Sequence, residues 1–209
     1  MLNTYKPIGR KFYLRDTVTV SRELLGKLII RKTKSENLIA KITETEAYKG
    51  EDDPASHSHV KMTNRNRIMF DEGGKVYVYF IYGNYNCFNI VTERKGTGSA
   101  VLIRAAEPVE GTETMKTFRG EIKNIYELTN GPGKLCKALN IDKSFYGKDI
   151  TEAGEIFVSY PLKKEGFDIV STKRIGISKG GDLPFRFFIK DNPFVTKHKF
   201  NREIISQEN

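Results

Sequence analysis

The length, composition and charge of this chain limit what it can be. Its 209 residues, 38% hydrophobic and 29% charged, are enough for a folded domain with a core, and this composition excludes a disordered chain. The net charge is +9, with Lys and Arg spread along the whole chain, which indicates a polyanionic partner: RNA, DNA or an anionic membrane surface.

No run of residues approaches the about 20 apolar side chains needed to cross a bilayer, and the basic N-terminal region is not followed by a signal-peptide core. We therefore expect a soluble intracellular protein, cytoplasmic and nucleoid-associated if it is bacterial. Cys87 and Cys136 form no motif, so we expect reduced thiols and no zinc site.

A short helix and two strands are predicted near the start of the chain. The helical pattern of residues 16–26 begins at Asp16, which can cap it, and ends at Gly26. Two apolar segments, 28–31 and 38–42, lie on either side of a polar turn and predict a pair of strands.

The second of these strands continues into a segment with two carboxylates. Strand alternation puts Glu44, Glu46 and Tyr48 on one face of the sheet. Like charges this close repel, so unless both face water, at least one must be paired or have a raised pKa, as in many general acids and bases. An exposed strand end would show the same pattern.

The segment that follows combines acids and histidines. Residues 50–59 form a turn, and a helix is predicted to begin at Pro54 with Asp53 as its cap. His57 and His59 beside two aspartates suggest a metal site. A third histidine at suitable spacing is missing, so we expect no metal.

A β-hairpin is predicted over residues 76–91, which are rich in β-branched and aromatic side chains. Residues 83–84 are Gly and Asn, which favour a two-residue turn. Alternation then puts Tyr79 on one face and Tyr82 on the other, beside the turn. Simple two-residue pairing puts Asn89 on the Tyr82 face. A sheet buried on both faces, with tyrosine hydroxyls reaching water, is the alternative.

Three arginines are candidates for a functional site. Arg65 and Arg67 precede the hairpin and suit phosphates, although a solvated helix face would look the same. Arg104 lies in a nearly all-apolar run, where its charge must be paired, and Glu46 or Glu44 is the natural partner. A structural ion pair is the alternative.

The remaining elements complete a single domain over residues 1–209, with a mobile tail from about residue 203. Residues 131–134 lack the spacing of a Walker motif, but helix-start amides there could bind a nucleic-acid phosphate. The pattern predicts helices at 112–119 and 131–139 and strands at 100–106, 156–160, 169–177 and 185–189.

A series of short motifs follows one another along the chain. They are Thr45-Glu46-Ala47-Tyr48, Ala55-Ser56-His57-Ser58, Arg65-Asn66-Arg67, Tyr77-Val78-Tyr79-x-x-Tyr82-Gly83, Leu102-x-Arg104-Ala105-x-Glu107-Pro108, Gly131-Pro132-x-Lys134-Leu135, Arg174-Ile175-Gly176 and Pro184-x-Arg186-Phe187. In this order they resemble the alkyladenine (3-methyladenine) DNA glycosylase family, from about Arg15 to Thr196. Asn64 is a departure, because many relatives carry Pro there.

This resemblance implies a mixed α+β fold: a single domain with a curved, mainly antiparallel sheet flanked by helices, and a protruding hairpin that enters the DNA minor groove. It implies that Tyr82 fills the gap left by a flipped nucleotide. It also implies that Tyr79 and Tyr48 sandwich the damaged base while His57 and Asn89 read its edge. Asn89 would then face the pocket rather than Tyr82.

The resemblance further implies that Glu46 activates a water that attacks the sugar carbon, with Arg104 helping to hold that water. The expected protein is a monomer with no membrane partner that acts on duplex DNA containing damaged purines such as 3-methyladenine, 7-methylguanine, hypoxanthine or ethenoadenine. Family members use no metal or other cofactor and release the base without cutting the strand.

Two other functions fit parts of the pattern. One is a non-catalytic binder of damaged DNA that keeps the hairpin but performs no chemistry. The other is a metal-dependent nuclease built on Asp52, Asp53, His57 and His59.

Overall fold

The computed structural model describes residues 5–81, 83 and 85–208. Its main feature is one antiparallel sheet. Its strands are β1 (Leu28–Lys32), β2 (Asn37–Tyr48), β3 (Val76–Ile81), β4 (Tyr85–Thr92), β5 (Ser99–Glu110), β6 (Ile156–Ser159), β7 (Ile169–Thr172), β8 (Arg186–Ile189) and β9 (Ser206–Glu208). Its helices are α1 (Thr17–Glu23), α2 (Thr112–Arg119) and α3 (Pro132–Ala138).

Strand β2 is the centre of this sheet. The main path runs β3-β4-β5-β2-β8-β7-β9, and β1 joins β2 to β6. One edge of β2 pairs with β5, while the other pairs first with β1 and then, over Glu44–Glu46, with β8. Register shifts interrupt the β2 and β5 ladder near Ile42 and Glu44, a feature of bulges that re-aim side chains.

The helices pack on the sheet around an apolar core. Asp16 caps α1 by accepting a hydrogen bond from the Thr19 backbone N–H at 3.0 Å, as predicted. Val20 of α1, Met115 of α2 and Leu135 of α3 are fully buried in the same cluster. The structure thus confirms the predicted mixed fold in one domain, with a mainly antiparallel sheet and a few flanking helices.

Three predicted elements differ from the structure. The helix expected at Pro54 is wrong: the chain follows turns there, because Asp53 binds a distant arginine. The strand expected over 169–177 ends at Thr172. The tail expected to be mobile instead supplies β9, which pairs with β7.

The hairpin also differs from the predicted two-residue turn. Ile81 pairs with Tyr85, so residues 82–84 connect the strands, and Gly83 takes a positive φ of 70°. This register pairs Asn89 with Tyr77 and Cys87 with Tyr79, so Asn89 shares a face with Tyr77. Tyr82 and Asn84 lie outside the described residues.

Within the described part of the chain, none of the helices combines the length and the apolar character that a membrane crossing requires.

The contact between α3 and the hairpin depends on a glycine. A Cβ added to Gly133 would lie 2.5 Å from the Tyr85 ring and 2.9 Å from the Tyr85 Cβ, so rotating the ring cannot relieve the clash. We predict that Gly133→Ala lowers the free energy of unfolding by about 1–3 kcal/mol in urea titrations. Gly154→Ala is the control, because an added Cβ there meets nothing within 4 Å. Equal stability of the two variants would contradict the prediction.

Candidate active site

The sheet register brings the predicted site residues into one row. Tyr77 on β3 pairs with Asn89 on β4, which pairs with Leu102 on β5. Leu102 pairs in turn with Glu46 on β2, and Glu46 with Arg186 on β8. Cross-strand partners point to the same face, so residues far apart in sequence meet on one side of the sheet.

A pocket of about 520 Å³ lies over this face. Its other walls come from the loop at residues 54–57, the start of α3 and the loop at residues 175–179. Five predicted site residues line it: Tyr48, His57, Tyr79, Asn89 and Arg104.

Glu46 lies behind the pocket surface and is fully buried. Its Oε2 accepts hydrogen bonds from the Tyr48 hydroxyl at 2.7 Å and from Arg104 Nη1 at 3.3 Å. Its Oε1 accepts one from the Ile175 backbone N–H at 2.7 Å. Since each carboxylate oxygen can accept two hydrogen bonds, Oε1 retains the capacity for one more donor.

Glu44 is the second buried carboxylate of β2. Its Oε1 accepts from Arg104 Nε at 3.0 Å and from Arg186 Nε at 2.6 Å, and its Oε2 accepts from the Thr196 backbone N–H at 2.8 Å. Burial alone would raise the pKa of Glu44, but the charges of Arg104 and Arg186 outweigh it and lower that pKa. Arg104 therefore pairs with both carboxylates that the sequence offered as partners.

The same arrangement shifts the pKa values of the two side chains that donate to Glu46, Arg104 and Tyr48. Burial disfavours the charged form of Arg104, yet the charges of Glu46 and Glu44 raise its pKa above the ordinary value. Burial and the adjacent Glu46 raise the pKa of Tyr48 well above its usual range. Tyr48 is therefore a neutral hydrogen-bond donor and Arg104 a permanent cation.

An aromatic cluster forms the opposite wall. The His57 ring meets that of Tyr79 edge-on, with centroids 4.6 Å apart, and its Nδ1 lies 2.9 Å from the Tyr77 hydroxyl. Burial raises the pKa of Tyr77 to about 12, so the hydroxyl stays protonated. Although His57 is open to the pocket, partial desolvation and the nearby charge of Arg65 lower its pKa, which favours a neutral imidazole.

Asn89 presents an acceptor to the pocket. Its side-chain Nδ2 donates to the backbone carbonyls of Tyr77 at 3.0 Å and Cys87 at 3.3 Å. Both amide protons are thus used, and Oδ1 is the atom left to meet a ligand.

Arg65 and Arg67 are exposed. The Arg65 guanidinium lies 5.1 Å from the centre of the Tyr79 ring, at the rim of the pocket. The predicted wedge Tyr82 lies outside the described residues.

The residues suggested for a metal site have other contacts. Asp53 binds Arg174, His57 contacts Tyr77, and His59 contacts the backbone carbonyl of Glu51. Within residues 5–81, 83 and 85–208, no three His, Cys, Asp or Glu side chains are grouped so that they could hold a metal ion.

Sequence reasoning missed the loop that closes the pocket. Arg174 is almost fully buried and binds both Asp53 oxygens, at 2.5 and 2.7 Å, as well as the Ala47 carbonyl at 2.8 Å. Its guanidinium also lies 4.7 Å from the centre of the Tyr48 ring. This anchor directs the next N–H, that of Ile175, to Glu46. The motif Arg174-Ile175-Gly176 was visible in sequence, but a main-chain donor carries no residue-type signal.

Comparisons with known proteins identify the family of this chain. The model of the methylpurine-DNA glycosylase family matches residues 11–193. The chain belongs to this family. A protein of Alkaliphilus oremlandii is 49% identical over 201 residues, covering 91% of this chain and 98% of its own length. A protein of Methanocella arvoryzae is 45% identical, covering 91% and 96%. Both carry the provisional name 3-methyladenine DNA glycosylase.

Membership in the methylpurine-DNA glycosylase family confirms the resemblance found in the sequence and makes the chain a DNA glycosylase. The alternatives of a non-catalytic binder and of a metal-dependent nuclease lose their main support, because each explained only part of the motif series. The roles of individual residues in the pocket remain predictions.

The pocket wall should depend on the pairing of Asp53 with Arg174. Removing the Asp53 charge leaves a buried guanidinium without its counter-ion, so Asp53→Asn is expected to lower the free energy of unfolding by about 3–5 kcal/mol. Urea titration measures this change. The matched control is the exposed neighbour Asp52, where Asp52→Asn should change stability by less than about 0.5 kcal/mol. Similar effects at both positions would contradict the assigned role.

The ionisation of His57 gives a pH-dependent prediction. The pKa of His57 in the folded protein lies below the usual 6.5. The unfolded chain therefore binds a proton at His57 more readily than the folded protein does, and the free energy of unfolding falls as pH drops below about 6.5. NMR titration should give a His57 midpoint below 6.5, and Arg65→Gln should raise it by removing a nearby positive charge. Arg67→Gln controls for the change in net charge. An identical midpoint in wild type and Arg65→Gln would rule out this coupling.

Proposed function

We propose that this glycosylase is monofunctional: it flips damaged purines out of duplex DNA, hydrolyses the N-glycosidic bond and leaves an abasic site. The observation that carries this proposal is the buried carboxylate of Glu46, held by three donors behind a pocket lined by Tyr48, His57 and Tyr79. The substrates suggested by the family are 3-methyladenine, 7-methylguanine, hypoxanthine and ethenoadenine.

The proposed chemistry uses the free acceptor capacity of Glu46 Oε1. A water bound there donates one proton to the carboxylate as its oxygen attacks the sugar C1′, while the C1′–N bond breaks and its electron pair leaves with the base. The carboxylate also stabilises positive charge developing on the sugar. Arg104 lines the pocket beside Glu46, where its remaining N–H groups can orient the water.

Base recognition combines stacking with edge contacts. Tyr79 and Tyr48 would sandwich the flipped base, and stacking on an aromatic ring contributes about 1–3 kcal/mol per base with little dependence on base identity. With Nδ1 of His57 bound to Tyr77, Nε2 is available for the base edge. Asn89 Oδ1 offers an acceptor. A mostly stacking pocket suits several damaged purines.

DNA engagement would use the hairpin and the rim of the pocket. The three-residue connection contains Tyr82, which we propose fills the space vacated by the flipped nucleotide. Flipping costs a few kcal/mol, and less for a base that already pairs poorly, which favours damaged sites. Arg65 and Arg67 are exposed, and Arg65 lies over the ring of the pocket residue Tyr79; both are proposed to contact phosphates.

The decisive experiment measures base release. The protein is incubated under single-turnover conditions with duplexes that each carry one lesion, and abasic sites are revealed by alkali. Glu46→Gln should slow release by about 10²–10⁴-fold, because general base catalysis is lost. Binding to the lesion duplex should persist.

Glu165→Gln is the matched control, since it removes a carboxylate from an exposed pair with Lys41. Full activity of Glu46→Gln would move the catalytic role elsewhere. A wild-type protein that binds the lesions without releasing any base would make the chain a damage binder. Release that is lost on adding EDTA would indicate metal chemistry.

A further inference from the structure

We propose that Glu44 is a positioning residue for base excision that acts through Arg104. This inference rests on the proposed function, because it assumes that Arg104 and Glu46 serve the hydrolysis. Glu44 is fully buried, is not part of the pocket lining, and makes all three of its contacts with protein groups. It can therefore affect the reaction only through its partners.

The first step is the geometry of Arg104. Its Nε donates to Glu44 and its Nη1 to Glu46, so the planar guanidinium is held at two points by two different carboxylates. Arginine and carboxylate groups prefer a bidentate pair when nothing prevents it. With Nε engaged by Glu44, Arg104 contacts Glu46 through Oε2 alone.

This division leaves the other oxygen of Glu46 with an unused acceptor position. Oε1 accepts only the Ile175 N–H among the described groups. If Arg104 were free to rotate into a bidentate pair, it would compete for the same oxygen that the attacking water needs. Glu44 thus keeps the guanidinium turned so that one oxygen serves Arg104 and Tyr48, and the other serves Ile175 and the water.

Glu44 is itself held by Arg186 and by the segment that follows β8. Arg186 is fully buried and donates to Glu44, to Thr172 Oγ1 at 3.0 Å and to Asn201 Oδ1 at 2.9 Å. The Thr196 N–H donates to the other Glu44 oxygen. Thr196 and Asn201 lie beyond residues 11–193, the part matched by the family model. The positioning contacts therefore extend past that match.

A purely structural role is the competing explanation, and buried ion pairs are weak evidence of stability. The two explanations differ in one respect. If Glu44 acts through Arg104, its removal should matter only while Arg104 is present. Because Glu44 and Arg104 are in direct contact, a purely structural role would also couple the two substitutions, but it would lower the affinity for the lesion duplex together with the rate.

The experiment is a double-mutant cycle on the single-turnover rate of base release. Glu44→Gln should lower this rate by about 10–100-fold, by analogy with the loss that follows removal of an outer partner of a metal ligand. Affinity for the lesion duplex should change by less than about twofold. In an Arg104→Gln background, Glu44→Gln should cause little further loss. Equal fold-losses in the two backgrounds, or a parallel loss of DNA affinity, would overturn the proposal.

A second variant, Asn201→Ala, tests the proposal in case Glu44→Gln does not fold. Asn201→Ala removes an anchor of Arg186 while leaving every charge of the buried cluster in place. It should lower the rate by a smaller factor, and that factor should also vanish with Arg104→Gln. A rate equal to wild type, or a loss that persists with Arg104→Gln, would count against the proposal. Glu165→Gln is again the control for a lost carboxylate.

The outcomes separate this inference from the proposed function. If Glu46→Gln keeps full activity, the proposed mechanism fails whatever the cycle gives. If Glu46→Gln is inactive but the effects of Glu44→Gln and Arg104→Gln are independent, the mechanism stands and only the positioning role of Glu44 fails.

Discussion

The buried cluster of Glu44, Glu46, Arg104 and Arg186 is the constraint on which this structure depends. An isolated charge in a protein interior is strongly unfavourable, so two carboxylates can be buried here only with two guanidinium groups beside them. The four residues come from β2, β5 and β8. Their pairing therefore requires these three strands to adopt one register, and the same register determines which side chains face the pocket.

The pocket is a consequence of that register. Glu46 on β2 is the start of a row of cross-strand pairs. Because Glu46 lies on the inner face, this row also places Asn89 and Tyr77 on that face. A second buried pair, between Arg174 and Asp53, holds the loop that forms another wall of the pocket and delivers a main-chain donor to Glu46. Ion pairs between residues that are far apart in sequence, rather than local secondary-structure propensity, assemble the site.

Much of this arrangement could be predicted from local pattern. Strand alternation correctly put Glu44 and Glu46 on one face, and a charge within an apolar run correctly marked Arg104 as paired. The site residues that line the pocket were named from the motif series. These features depend on the two-residue period of a strand and on the cost of an unpaired charge.

Other features could not be predicted, because their causes are not local. Asp53 looked like a helix cap, but its partner Arg174 lies 121 positions away in sequence and holds the segment in turns. The two-residue turn suggested by Gly83 is overridden by the pairing of Ile81 with Tyr85, which sets the face of Asn89. The Ile175 N–H is common to every residue type, so only the fold reveals it.

The late position of Arg186 in the chain has a consequence for synthesis. As the chain leaves the ribosome, β2 and β5 emerge first with two acidic groups and a single arginine, a combination that resists burial. Neutrality is reached only after β8 has emerged, and the contacts of Thr196 and Asn201 follow later still. The nascent sheet should therefore close late. Ribosome-bound chains that stop before Arg186 should remain more accessible to chaperones and proteases than those that extend past Asn201.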